Sequence, residues 1–95
     1  MSEALREKLK SEVQATPWPD LVPHAKRGAL LLAAKSLDLL DVAVAVADDD
    51  VAAIRGWLEA GSLSKADPGE SHGGRFQFVI VQPYVLAQAL PDESN

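Results

Sequence analysis

The chain of 95 residues contains no cysteine, and this absence excludes two kinds of site. Without thiols there is neither a disulfide framework nor a cysteine-ligated metal centre. The apolar runs also fall short of the roughly 18 residues that a membrane span requires, and the N-terminal segment is charged rather than apolar. The sequence therefore predicts a cytoplasmic protein with no membrane segment.

Positive charge is scarce where a nucleic-acid-binding protein needs it. The chain has 9 Lys and Arg against 14 Asp and Glu, a net charge of -5. Residues 37–60 hold six acidic side chains and only Arg55 of opposite sign, which gives -5 for that segment alone. A surface of this sign repels phosphate, so the charge pattern argues against DNA as a partner.

No stretch of the chain carries a motif that specifies a reaction. Residues 70–74 bring Glu70 and His72 together with glycines, yet no Ser or Cys nucleophile signature surrounds them, which favours a flexible connector. His24 stands without a second ligand at metal-binding spacing. The sequence thus predicts no catalytic residue, no cofactor and no metal site, and it leaves enzymatic activity open while leaning against it.

Three consecutive aspartates, Asp48, Asp49 and Asp50, permit two interpretations. Hard cations bind clusters of carboxylate oxygens, but consecutive residues at a helix start point in different directions and lack the alternating ligands of a calcium loop. A carboxylate at this position also accepts the free N–H groups of a first helical turn. Capping of the following helix is therefore the favoured interpretation.

Residues 36–61 form the segment around which the rest is organised, because they are typical of two short helices joined by the acidic turn. Val51, Ile54, Trp57 and Leu58 share one face of a helix over residues 50–60, and we expect Trp57 to be a core residue. Gly61 supplies the stop.

The first member of the pair combines signals of two secondary-structure types. Residues 42–46 alternate like a strand, whereas their alanines and the spacing of the larger side chains suit a helix. We favour the helix, with Ser36 as its N-cap.

The flanking segments complete a coarse assignment. Trp18 lies among three prolines and is expected to anchor an irregular segment in the core. The remaining assignments are an N-terminal helix at 2–14, a buried strand at 29–34 with a helix as the alternative, a short strand at 62–66, a mobile loop at 67–75, a central strand at 76–82, an edge strand or docking segment at 84–90, and a tail at 91–95.

This order predicts a single α+β domain, residues 1–95, with three main helices and a three-stranded sheet, in which residues 62–90 are hairpin-like. It matches the order of a winged helix, with residues 50–60 in the recognition-helix position and residues 67–75 as the wing. Topological analogy of this kind indicates a fold and not a function.

Several short motifs also resemble a family of small bacterial proteins known only as a domain of unknown function. They are Leu37-Asp38-Leu39, Val42-Ala43, Asp48-Asp49, Trp57, Gly61 and residues 81–88, Val-Gln-Pro-Tyr-Val-Leu-Ala-Gln. The resemblance covers about residues 5–88. It implies a cytosolic bacterial protein without an established activity, ligand or set of catalytic residues.

Residues 79–90 are almost wholly apolar, and a small domain has limited interior in which to bury them. No Lys or Glu interrupts the segment to prevent association at an exposed edge. We therefore predict a homodimer in which residues 84–90 contribute to the interface; the alternative is that residues 84–90 fold back over the chain's own sheet. The candidate interaction surface comprises Tyr84, Val85, Leu86, Asp48, Asp49 and Arg55.

Three functional hypotheses remain. The favoured hypothesis is a non-enzymatic protein-interaction or self-associating module. The alternatives are a nucleic-acid-binding regulator of winged-helix type and a small-ligand binder or enzyme of unknown class.

Overall fold

Four helices and a five-stranded sheet make up residues 2–90, the part of the chain that the computed structural model describes. The helices are α1 (Ser2–Glu12), α2 (Val22–Lys26), α3 (Leu39–Ala47) and α4 (Val51–Ala60), with a 3₁₀ turn at Trp18–Asp20. The strands are β1 (Gln14–Pro17), β2 (Leu30–Ala33), β3 (Leu63–Lys65), β4 (Arg75–Val81) and β5 (Tyr84–Ala89). The predicted α+β single domain is confirmed, although the sheet has five strands rather than three. Residues 91–95, predicted as a tail, lie outside the described residues.

The strand order is β1-β4-β5-β2-β3, so β5 occupies the centre of the sheet. It pairs antiparallel with β4 through the two-residue turn at Gln82 and Pro83, and parallel with β2, where Leu86 lies opposite Leu31. Residues 84–90 are thus neither an edge strand nor a docking segment, and that prediction is wrong. The apolar sequence of β5 reflects burial on both of its faces.

The first sheet face is covered by α1 and α3, with α4 at its margin. Leu9 of α1 and Val42 and Ala43 of α3 pack against Val79 and Leu86 of the sheet. Because both helices bury an apolar stripe on the sheet, they form the larger of the two cores.

The opposite face is covered by the 3₁₀ turn and α2. Trp18 and Leu21 are buried there against Phe76 and Val85, and the Trp18 indole N–H donates to the Glu70 carbonyl oxygen at 2.9 Å. Trp18 is therefore the core anchor that the sequence predicts. Because of the prolines around Trp18, the sequence did not predict β1. Pro17 is tolerated in this strand because β1 lies at the edge of the sheet.

The two helices of the 36–61 segment begin and end at identifiable caps. Asp38, and not Ser36, caps α3, since its side chain accepts from the Leu40 N–H at 2.9 Å. Asp50 caps α4 by accepting from the Ala53 N–H, and Gly61 ends α4 with a φ of 81°. Residues 42–46 lie within α3, which confirms the prediction of a helix rather than a strand.

The predicted core face of α4 is only partly buried. Ile54 and Trp57 pack against the edge of the larger core, but no residue of α4 is fully buried. Val51 and Leu58 are exposed. The prediction that Trp57 is a core residue is confirmed only in part: Trp57 packs against the larger core but is not fully buried, because α1 and α3 already occupy the sheet face.

The winged-helix order is not confirmed. The loop predicted as a wing connects β3 with β4, and these two strands are not neighbours in the sheet. The β2 strand pairs in parallel with β5, which requires a crossover rather than a wing-type hairpin.

Gln88 is a buried polar residue at the end of β5, and it ties three segments together. Its Nε2 donates to the carbonyl oxygens of Ala34 and Leu37, at 2.8 and 2.6 Å, and its Oε1 accepts from Gln77 Nε2 at 2.8 Å. The amide therefore holds the loop before α3 against β4 and β5.

We expect Gln88→Leu to lower the free energy of unfolding by about 1 to 3 kcal/mol, because two carbonyl groups and the Gln77 amide lose their partner. Urea denaturation measures the change. Gln14→Leu, on an exposed edge-strand position, is the matched control and is expected to change stability by less than about 0.5 kcal/mol. Equal stability of the two variants would show that the Gln88 bonds contribute nothing.

Candidate binding groove

A groove of about 540 Å³ lies between α4, the end of α3, the β2 and β3 strands and the β4–β5 turn. Its lining is mainly apolar. The lining residues are Gly28, Leu31, Val46, Asp49, Val51, Ile54, Leu58, Lys65, Gln82, Pro83 and Tyr84.

The wall formed by α4 presents apolar side chains that the fold does not cover. Val51, Ile54 and Leu58 are spaced i, i+3 and i+7, so they form one row along the helix. Val51 is 53% exposed and Leu58 is 45% exposed. Tyr84, at 39%, forms part of the opposite rim. The groove is therefore an apolar surface open to solvent.

Two charged residues line the groove, Asp49 and Lys65. Asp49 lies in the turn between α3 and α4 with a φ of 58°. Lys65 ends β3 and lies over Gly28, where an added Cβ would be 3.4 Å from the Lys65 amine. Gly28 itself has a φ of 73°, and this left-handed backbone conformation favours glycine at the position.

A family described as protein of unknown function (DUF2288) matches residues 4–89. The chain belongs to this family. The matched range includes every residue of the groove, and it confirms the family resemblance seen in the sequence.

The chain is also similar to PA1075 of Pseudomonas aeruginosa, whose structure was solved in solution by NMR. The two are 33% identical, with a TM-score of 0.76, over 97% of this chain and 90% of PA1075. No curated protein matches the chain. The comparisons thus establish family and fold without an activity.

The DUF2288 fold separates the predicted interaction residues. Tyr84 and Asp49 line the groove, and Asp48 lies beside it as the exposed C-cap of α3. Arg55 is exposed on α4 but does not line the groove. Val85 and Leu86 are only 2% and 0% exposed, so their placement on a surface is wrong.

Sequence reasoning missed most of the groove. Leu31, Val46 and Lys65 lie in predicted secondary-structure elements, but no local pattern marks them as lining residues. The row of Val51, Ile54 and Leu58 was visible, but periodicity does not distinguish a face covered by the same chain from a face left open.

A second group of charged residues, at the contact between α1 and α3, forms salt bridges within the described chain. Arg6 of α1 donates to Asp38, at 2.7 Å, and to Asp41, and the bond to Asp41 raises the pKa of the guanidinium. A smaller depression of about 340 Å³ lies over Glu3, Arg6, Asp41 and Val44. Since its Arg and Asp satisfy each other, it is a contact between α1 and α3 rather than a binding site.

Two kinds of site find no support in residues 2–90. No group of three or more His, Cys, Asp or Glu is placed there to hold a metal ion. None of the described helices has the length and hydrophobicity needed to cross a bilayer.

The loop between β3 and β4 is attached to the smaller core through His72. The His72 ring lies edge-on to Trp18, with centroids 4.5 Å apart, and its Nε2 is 2.7 Å from Glu70 Oε1. Glu70 Oε2 accepts from the Asp67 backbone N–H. The bond with His72, and then the bond from Asp67, lower the pKa of Glu70 from its ordinary value of 4.5.

The lowered pKa of Glu70 predicts that the loop between β3 and β4 is released in acid. Because the folded pKa of Glu70 is lowered, its contribution to stability is present above pH 4.5 and is lost as pH falls through the folded pKa. Fluorescence of Trp18, recorded in a Trp57→Phe background, should change in that window. Glu70→Gln should remove this transition, and identical titration curves for the two proteins would contradict the assignment.

Proposed function

We propose that this DUF2288 protein is a non-enzymatic interaction module that self-associates through the groove beside α4. One observation carries the proposal. Of the four large apolar side chains that are exposed in residues 2–90, Val51, Leu58 and Tyr84 line this groove and only Ile80 lies elsewhere. Concentrated exposed apolar surface is typical of an interaction site, whereas scattered residues are not.

A second copy of the chain is the occupant that this surface favours. Val51 and Leu58 are exposed along one wall of the groove, so the same apolar surface is available on both copies for an isologous contact. Two-fold symmetry places the row of each copy in the groove of the other and covers both with one contact. Residues 79–90 were the sequence basis for a homodimer, and of these only Gln82, Pro83 and Tyr84 line the groove.

The contact is expected to be of modest affinity. The α4 helix has 10 residues and is therefore about 15 Å long, which corresponds to an interface at the small end of the usual range. We expect dissociation constants on the order of micromolar.

The proposal also includes the origin and the cellular location of the protein. The bacterial source of PA1075 supports a bacterial origin. A cytoplasmic location remains a prediction from the sequence.

Sedimentation equilibrium on the full chain tests self-association. We expect a dimer at tens to hundreds of micromolar, on the order of the affinity given above. Leu58→Lys is expected to give a monomer with an unchanged far-UV circular dichroism spectrum, because Leu58 is already 45% exposed. Lysine there places a charge in the apolar contact.

Ile80→Lys is the matched control. Ile80 is 46% exposed but lies on the sheet face opposite to the groove, so this variant should remain dimeric. A monomer mass for the wild-type chain at these concentrations would refute the proposal. A dimer that survives Leu58→Lys but not Ile80→Lys would move the contact to the other face.

We further expect no appreciable binding to duplex DNA at physiological salt. Three aspartates precede α4, and Arg55 is its only cation, so the helix would bring negative charge to the phosphates. Fluorescence anisotropy with labelled duplexes measures this. Sub-micromolar binding that weakens steeply with added salt would support the nucleic-acid alternative. It would indicate the two consecutive cations Lys26 and Arg27 as the contact surface.

A further inference from the structure

The groove contains one charge of each sign, and neither forms a salt bridge with another residue in the described part of the chain, 2–90. Asp49 and Lys65 are the only charged residues among its lining, and they form no salt bridge with each other or with any other residue from 2 to 90. By contrast, Arg6, Asp38 and Asp41 satisfy one another. The groove is thus locally neutral in a chain whose net charge is -5.

The two charges belong to different elements. Asp49 precedes the first turn of α4, and Lys65 ends β3 beside Gly28. Copies with a net charge of -5 repel each other, so a contact between them benefits from local attraction. A surface with one unpaired cation and one unpaired anion provides that attraction in one relative orientation only.

We propose that the two copies pair in a two-fold arrangement in which Asp49 of each copy faces Lys65 of the partner subunit. This inference rests on the proposed self-association and specifies its geometry. In an isologous contact, residue i meets residue j and residue j meets residue i, so one arrangement forms both ion pairs. An arrangement with like residues facing would oppose two lysines and two aspartates, which is repulsive.

The apolar row and the charges have separate roles in this contact. Val51 and Leu58 supply the buried apolar surface, whereas Asp49 and Lys65 fix the relative orientation and exclude the alternative. Partly exposed ion pairs contribute little to affinity in themselves. Reversal of one charge has a larger effect, because it converts two attractions into two repulsions.

Complementary charge reversals test the arrangement. In Asp49→Lys, two lysines face each other across both halves of the contact, and in Lys65→Glu, a Glu faces Asp49 across both halves. Each variant alone should dimerise on the order of tenfold more weakly than the wild-type chain. An equimolar mixture should form a heterodimer, since one copy then offers only cations and the other only carboxylates. Native mass spectrometry distinguishes the heterodimer by mass, and sedimentation velocity measures its amount.

Matched controls carry the same change in net charge away from the groove. Glu12→Lys corresponds to Asp49→Lys, and Lys10→Glu corresponds to Lys65→Glu. Both lie exposed near the end of α1, and both should dimerise like the wild-type chain. Because residue 49 has a positive φ, Asp49→Asn is a second variant that retains a residue type tolerant of this backbone. It should weaken the dimer to a smaller extent than Asp49→Lys.

The outcomes separate this inference from the proposed function. A monomeric wild-type chain overturns both. If the wild-type chain is a dimer, the inference alone is overturned by either of two results. One is that a single charge reversal leaves dimerisation unchanged, and the other is that the mixture of the two variants dimerises no more strongly than each variant by itself. Preferential heterodimer formation, with thermal melting showing that each variant is folded, supports the crossed arrangement.

Discussion

The position of β5 between β4 and β2 is the constraint on which the remaining structure depends. The tight turn at Gln82 and Pro83 joins β5 to β4, whereas the parallel pairing with β2 joins segments that are far apart in the chain, as the pair of Leu31 and Leu86 shows. The chain between these two strands supplies α3 and α4 on one side of the sheet, and it also adds β3 and β4 to the sheet itself. Gln88 at the end of β5 reinforces this closure by binding the loop that leads into α3.

This arrangement also explains why an apolar groove exists. The crossover supplies α3 and α4, but α1 and α3 already cover the first sheet face, so α4 lies at its margin. Its ends are fixed by the Asp50 cap and by the left-handed Gly61, which returns the chain directly to β3. Ile54 and Trp57 are the α4 side chains that pack against the core, so Val51 and Leu58 remain exposed and form the wall of an open surface.

The sequence predicted the individual elements more successfully than their arrangement. Local signals were sufficient for the helix of residues 39–47, the Asp50 and Gly61 boundaries of α4 and the anchoring of Trp18. They failed for β1, because four residues among prolines carry no periodicity. They also failed for the sheet position of β5. An apolar run is equally consistent with a central strand and with an exposed docking edge, since both lack polar side chains.

The candidate site was predictable only in fragments. Asp49 and Tyr84 were identified from the acidic turn and the apolar C-terminal segment, while Leu31, Val46 and Lys65 carry no distinguishing local pattern.

By itself, the sequence determined the α+β class, the acidic character and the caps of α4, because these depend on composition and on interactions between residues close in the chain. Only the tertiary structure decided that Leu86 is buried and that Leu58 is exposed. Both are leucines in apolar segments, and the difference arises from competition among α1, α3 and α4 for one limited sheet face, which no local interaction can express.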